Sequence, residues 1–347
     1  MTQRLDELQR RRPAFGFPLA VIYKYIDDQG GYLAALIAYY AFVSLFPLLL
    51  LSSTVLGWVL VGHPAVREHV LHSALSQFPV IGSQLGEPKQ LSGGVTGVVI
   101  GVLGALYGGL GVGQAMQNAM NTVWAVPRHS RPDPFMARGR SLLLLAAVGG
   151  ALLGTTVLSA ISGGAGAFGT GVKVVVLVAS IAVNAAAFIF AFRLSTDRTL
   201  TVRQVSPGAV IVALGWQLLH SFGALYVKHV VQSASATNGV FAVVLGMLAF
   251  LYLTATVVVF CAQINVVRVD RLHPRALLTP FTDNVDLTKA DREAYTSQAT
   301  AQRSKGFEHV SVTFGAPPHR ANEEPREDDT AAAPGSDRPE PPSASLC

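Results

Sequence analysis

Residues 32–62, YLAALIAYYAFVSLFPLLLLSSTVLGWVLVG, carry no charged side chain. A bilayer core is crossed by about 20 apolar residues in a helix. A soluble core helix shows a polar face every three or four positions, and this run has none. In lipid every backbone N–H and C=O must be bonded within the segment, so the run is expected to be helical. Pro47 removes one of those bonds mid-run and is expected to kink it. A chain built around this stretch has the membrane as its solvent.

The rest of the sequence agrees. Half of the residues are hydrophobic and only 14% are charged, which is the composition of a polytopic membrane protein. A net charge of +5 over 347 residues does not point to nucleic acid. Two cysteines, Cys261 and Cys347, are too few for a disulfide framework or a zinc site. No cleavable leader follows Arg10, Arg11 and Arg12, so the first span is expected to direct its own insertion.

Five further apolar runs follow, at about 93–126, 141–162, 171–192, 207–227 and 238–267. Lysine and arginine then set the orientation. Arg4, Arg10, Arg11, Arg12 and Lys24, the loop arginines 128, 131, 138 and 140, and Arg193, Arg198 and Arg203 fall on one side. Only Arg67, Lys89, Lys173 and Lys228 fall on the other. The expected fold is all-α, a polytopic membrane protein with six transmembrane helices and both termini cytoplasmic. The expected divisions are a cytoplasmic arm with an interfacial helix (1–30), the six-helix domain (31–275) and a cytoplasmic, mostly disordered tail (276–347). Within the tail, Thr288 and Asp291 have the spacing of a capping box for one short helix. Ser206-Pro207-Gly208 has the order of a cap and first-turn proline for the fifth span.

The second run is too long for a straight crossing and holds small residues at four-residue spacing. Gly97 and Gly101, then Gly104 and Gly108, make a groove for another backbone, and Gly150 and Gly154 repeat the device in the third run. Its second half sets Gln114, Asn118 and Asn121 at i, i+4 and i+7, which puts three amides on one face. These amides could line an aqueous path, tie helices together, or face the cytoplasm where the helix emerges. Asn184, Gln217, His220 and Gln263 are further polar positions in the spans, and His220 is the ionisable one. Intramembrane ionisable groups are candidates for function, and a neutral histidine bonded to a neighbouring helix is the alternative. His63, His69 and His72 lie in a polar stretch, 63–92, read as a short helix on the outer surface rather than as a metal site.

The segments AALIAYYAFVSLFP (34–47), QAMQNAMNTVWAV (114–126), SPGAV (206–210), NGVFAVVLGMLAFLYLTA (238–255) and AQINVV (262–267) resemble the YihY/virulence factor BrkB family over roughly residues 15–275. The resemblance implies a bacterial inner-membrane protein of six helices without an established biochemical activity. Family members have been linked to envelope integrity, serum resistance and lipid export, and an older label attached ribonuclease BN to them. The chain departs from the family pattern at Gln263, where an acidic residue is expected, which argues against a carboxylate-dependent ion or proton role there.

Phosphodiester hydrolysis needs clustered carboxylates or histidines around metal ions, and the basic loops offer only Asp133 and Asp197. The expectation is therefore not an enzyme: no catalytic residue, no cofactor and no metal. A transporter or translocator of a lipid or amphiphilic envelope component is preferred, with a non-catalytic scaffold or regulatory partner as the alternative. The expected partners are membrane lipids, with no nucleic acid; a second copy or an envelope protein is left open.

Overall fold

A computed structural model of the chain describes residues 6, 13–59, 94–164, 169–226 and 236–315. Among these residues the structure is helical, with no strand. Helix α1 is Pro13–Asp27, α2 Gly30–Val59, α3 Gly94–Val123, α4 Pro134–Gly164, α5 Gly169–Leu194, α6 Val202–Tyr226, α7 Ala236–Val269 and α8 Lys289–Ala301. The stretch 63–92, with His63, His69 and His72, lies outside the described residues. Among the described residues four segments, Val98–Val123, Pro134–Thr155, Val174–Leu194 and Val244–Val269, are long and apolar enough to cross a membrane, and Gly30–Leu45 is a shorter apolar helix.

Helices α2 to α7 close into a ring, each packing on its neighbours in the chain and α7 returning to α2. Helix α3 also touches α7, and α1 lies against α7 and α2. The core sits where α1, α3, α6 and α7 meet, around Ala20, Met120, Val205, Val259 and Val266. Helices α4 and α5 hide little of their apolar surface.

Helices α2 and α3 approach each other closely. Gly104 faces the Pro47 ring, Gly108 faces Ser44, and Gly111 faces the Tyr40 ring. A Cβ at Gly108 would stand 2.5 Å from Ser44 Cα, so only glycine fits there. Gly101 is buried on the same helix, and Gly97 is helical. On α4, a Cβ at Gly154 would make ordinary contact with Val183 at 3.9 Å, and one at Gly150 would meet no described residue within 4 Å.

Three boundaries differ from expectation. Helix α4 starts at Pro134, not at Ser141, because Asp133 and Pro134 supply a start signal and the Ala137 N–H already bonds to Asp133 O at 2.9 Å. Arg138 and Arg140 are thus helical. Helix α6 starts at Val202, ahead of Ser206-Pro207-Gly208. Its true start signal is Thr201, whose N–H and hydroxyl both donate to Gln204 Oε1 at 2.8 and 3.0 Å. Pro207 cannot bond the carbonyl four residues back, and Arg268 Nη2 donates to that Arg203 carbonyl at 2.7 Å. The boundary drawn at residue 275 falls inside a folded unit: α8 carries the expected Thr288–Asp291 capping box and is fastened to α1. Arg275, fully buried, bonds Asp27 at 2.7 Å and Asp291 at 2.6 Å. Its guanidinium lies near the Tyr23 and Tyr295 rings. Gln298 donates to the Asp27 carbonyl at 2.6 Å, which closes the clamp.

Candidate functional site

The polar groups of the ring gather at the end where α3 and α7 finish and α4 begins, and those of α3 are in part exposed and in part buried. At 100° per residue, Ile100, Leu103, Tyr107, Gln114 and Asn118 share one face. All five are exposed, Leu103 and Tyr107 by 64% and 65%. This face points away from α2, which meets Gly104, Gly108 and Gly111, and away from α4, which meets Gly109, Gly113 and Gln117. It also points away from the core side of the helix, Ala119, Met120 and Val123.

Gln117, about 60° further round toward α4, and Asn121, at the same angle as Leu103 but covered by the α5–α6 loop at Asp197, are buried. Gln117 Nε2 donates to the Ala137 carbonyl and the Ser141 hydroxyl, both at 2.9 Å, and ties α3 to α4. Asn121 accepts from the Asp197 N–H at 2.9 Å and donates to the Asp197 carboxylate at 3.1 Å. The same carboxylate takes Arg140 at 2.5 Å, so Asp197 joins α3, α4 and the α5–α6 loop. Beside it Arg198 lies over the Trp124 ring and bonds Asp270 at the end of α7. The amide row of the sequence therefore serves two purposes: Asn121 is a helix tie, while Gln114 and Asn118 look outward.

Arg131 extends the outward pair. Its Nη1 donates to Asn118 Oδ1 at 3.2 Å, and its Nε and Nη2 reach the Val126 carbonyl at 3.4 and 3.3 Å. Burial, followed by the charge of Arg128, holds its pKa below the usual arginine value. By the helical rise, Asn118 lies about 8 Å and Gln114 about 14 Å along α3 from its Val123 end. Arg131, Asn118 and Gln114 thus form a polar ladder on an otherwise apolar exposed face.

A second polar group is buried in the bundle. Lys24 pairs with Asp28 one helical turn later and also donates to the Val123 carbonyl at 3.4 Å. Gln263 of α7 donates to the same Asp28 oxygen at 2.8 Å. The carboxylate missing from position 263 is thus supplied to it by Asp28, from the α1–α2 turn. Burial pushes the Asp28 pKa up, while Lys24 and the Gln263 hydrogen bond oppose the rise without cancelling it. The sequence signal was the i, i+4 opposite charges of Lys24 and Asp28 in an apolar segment, which a helical wheel brings together.

Asn265, the neighbouring amide, accepts from the Gly208 N–H at 2.8 Å and donates to the Val205 carbonyl at 3.1 Å, joining α7 to α6. Asn184 and Gln217 are half-buried on α5 and α6. His220 is in α6, and its side chain lies outside the described residues. Among the described residues no group of three His, Cys, Asp or Glu stands close enough to hold a metal ion.

The virulence factor BrkB family matches residues 21–283. The inner membrane protein YhjD of Escherichia coli (strain K12) is 22% identical over 278 residues, covering 74% of this chain and 82% of that protein. No solved structure matches the chain.

Proposed function

The chain belongs to the virulence factor BrkB family of membrane proteins, and from that premise we propose that it spans a bacterial inner membrane six times, with both termini cytoplasmic, and translocates a lipid or amphiphilic envelope component without catalysing a reaction. The polar ladder carries this assignment. Polar side chains facing hydrocarbon are costly and are kept where they serve a path or a partner. Arg131, at the polar end, receives a headgroup, and Asn118 and Gln114 hydrogen-bond it as it moves toward the middle of the bilayer while its chains stay in lipid. Such a route needs no closed channel. Helices α4 and α5 keep little of their surface hidden and lack the tight packing that fixes α2 to α3.

A scaffold is the second reading, favoured by Gln117, Asn121, Gln263 and Asn265, whose amides all bond other elements. Water accessibility separates the two. In a chain without native cysteines, Gln114→Cys and Asn118→Cys in intact vesicles are expected to react with a membrane-impermeant thiol reagent, and Asn121→Cys to react poorly. Equal protection of all three positions would remove the ladder as a headgroup path and leave the scaffold.

A further inference from the structure

The α1–α2 turn sends neighbouring carboxylates to different partners: Asp27 to Arg275 in the α8 clamp, and Asp28 to Lys24 and Gln263 inside the bundle. Gln29 holds a positive φ of 54°, and Gly30 is the next residue because a Cβ there would stand 2.8 Å from the Tyr25 ring carbon Cγ. The turn therefore keeps Asp28 almost wholly buried at the junction of α1, α3 and α7. Gln263 is fully buried, and its Oε1 has no hydrogen-bond partner among the described residues. An amide turned end for end exchanges donor and acceptor. Gln263 is thus suited to two states of one neighbour: Nε2 donates to a carboxylate, and Oε1 accepts from a carboxylic acid.

We propose that Asp28 is a proton-binding site, passing between a carboxylate held by Lys24 and Gln263 and a neutral acid that donates its proton to Gln263 Oε1. The proton comes from water at the polar end and adds to Asp28, and no other bond is made or broken covalently. Lys24 keeps its contact with the Val123 carbonyl but loses its counter-charge. An unpaired buried ammonium is strongly disfavoured, so protonation loosens the hold of α1 on the ends of α3 and α7.

The other groups around the site are consistent with one titrating member. Beside Asp28 stands Asp27, with Arg275 and Asp291 beyond it; this trio carries one net negative charge and favours the protonated acid. From α7 come Gln263 and Tyr252, whose hydroxyl approaches Gly31, and the contact made by α3 is the Val123 carbonyl. Proton binding here does not depend on the translocation assignment.

Infrared difference spectroscopy on the full chain in lipid nanodiscs, titrated with pH, tests this directly. A protonated-carboxyl band is expected with a midpoint above the ordinary 3.8 of an aspartate, absent in Asp28→Asn. Gln263→Leu removes the charge-assisted hydrogen bond to the carboxylate together with the weaker one from the acid, and the difference is expected to move the midpoint up by about one pH unit. Lys24→Gln moves it in the same direction. Gln263→Leu provides the test even where Asp28→Asn fails to fold. A carboxyl titration above 3.8 that is the same in wild type and a folded Asp28→Asn, or a midpoint that Gln263→Leu leaves unmoved, overturns the assignment.

Discussion

Replacing Gly108 with alanine adds one methyl group where α2 and α3 pack backbone against backbone. That Cβ would stand 2.5 Å from Ser44 Cα and 2.8 Å from Ser44 N, against 3.4–4 Å for ordinary contact, so α2 and α3 must part by about 1 Å. The obstacle is backbone and cannot rotate away. Overpacking of this kind costs about 1–3 kcal/mol, and a backbone obstacle belongs at the upper end. Alanine recovers about 1 kcal/mol of helix propensity over glycine, which leaves a net loss of about 2 kcal/mol. Gly139→Ala is the control: no described residue lies within 4 Å of its Cβ, so it is expected to be neutral or stabilising. Heating both variants in mild detergent and scoring the monodisperse fraction by size exclusion gives the order Gly139→Ala, wild type, Gly108→Ala. Ser44→Gly is not expected to rescue Gly108→Ala, because Ser44 Cα and N remain in place. A Gly108→Ala protein as heat-resistant as Gly139→Ala would refute the packing argument.

Other perturbations reach the rest of the account. Arg275→Ala strands Asp27 and Asp291 without their cation, and breaking a buried pair in this way costs about 3–5 kcal/mol; limited proteolysis is expected to cut between α7 and α8 faster than in wild type. Asn121→Leu removes both bonds to Asp197 and is expected to lower the yield of folded protein, by about 1–3 kcal/mol of stability, whereas Asn118→Leu, at an exposed position, leaves the yield unchanged. Burial raises the Tyr295 phenol to about 12, with Asp27 adding to the rise. The neutral phenol is therefore the form the fold favours; its contribution is complete below the ordinary value of 10.0 and is lost as pH climbs from there toward about 12. In an alkaline titration followed by tyrosinate absorbance, Tyr295→Phe is expected to remove intensity from the last part of the curve, and loss from its early part would contradict the buried site.

Local patterns carried most of the architecture. The uncharged run from residue 32 became α2, the capping spacing of Thr288 and Asp291 became α8, and Gly104 and Gly108 met α2 as close-approach glycines. Each of these depends on neighbours within a turn or two of helix. The start of α6 was legible in Thr201 and Gln204 but was overshadowed by Pro207, whose missing hydrogen bond is made good by Arg268 from α7. The polar ladder was half legible: spacing aligned Gln114, Asn118 and Asn121, but burial separates the first two from the third. The Asp28–Gln263 bond joins residues 235 apart and the Arg275–Asp27 pair residues 248 apart. No periodicity encodes such pairings; they appear only once α1 is laid against α7 and α8 against α1.

Lipid translocation by the purified protein in proteoliposomes measures the central claim. Headgroup-labelled lipids are reconstituted with wild type or with a Gln114→Leu/Asn118→Leu double variant at equal insertion, and the fraction of label reaching the opposite leaflet is followed against protein-free vesicles. Transfer above the protein-free level by wild type, reduced to that level in the double variant while both proteins stay folded, is the predicted result. Folded wild-type protein that moves none of several headgroup classes, or a double variant as active as wild type, would contradict it.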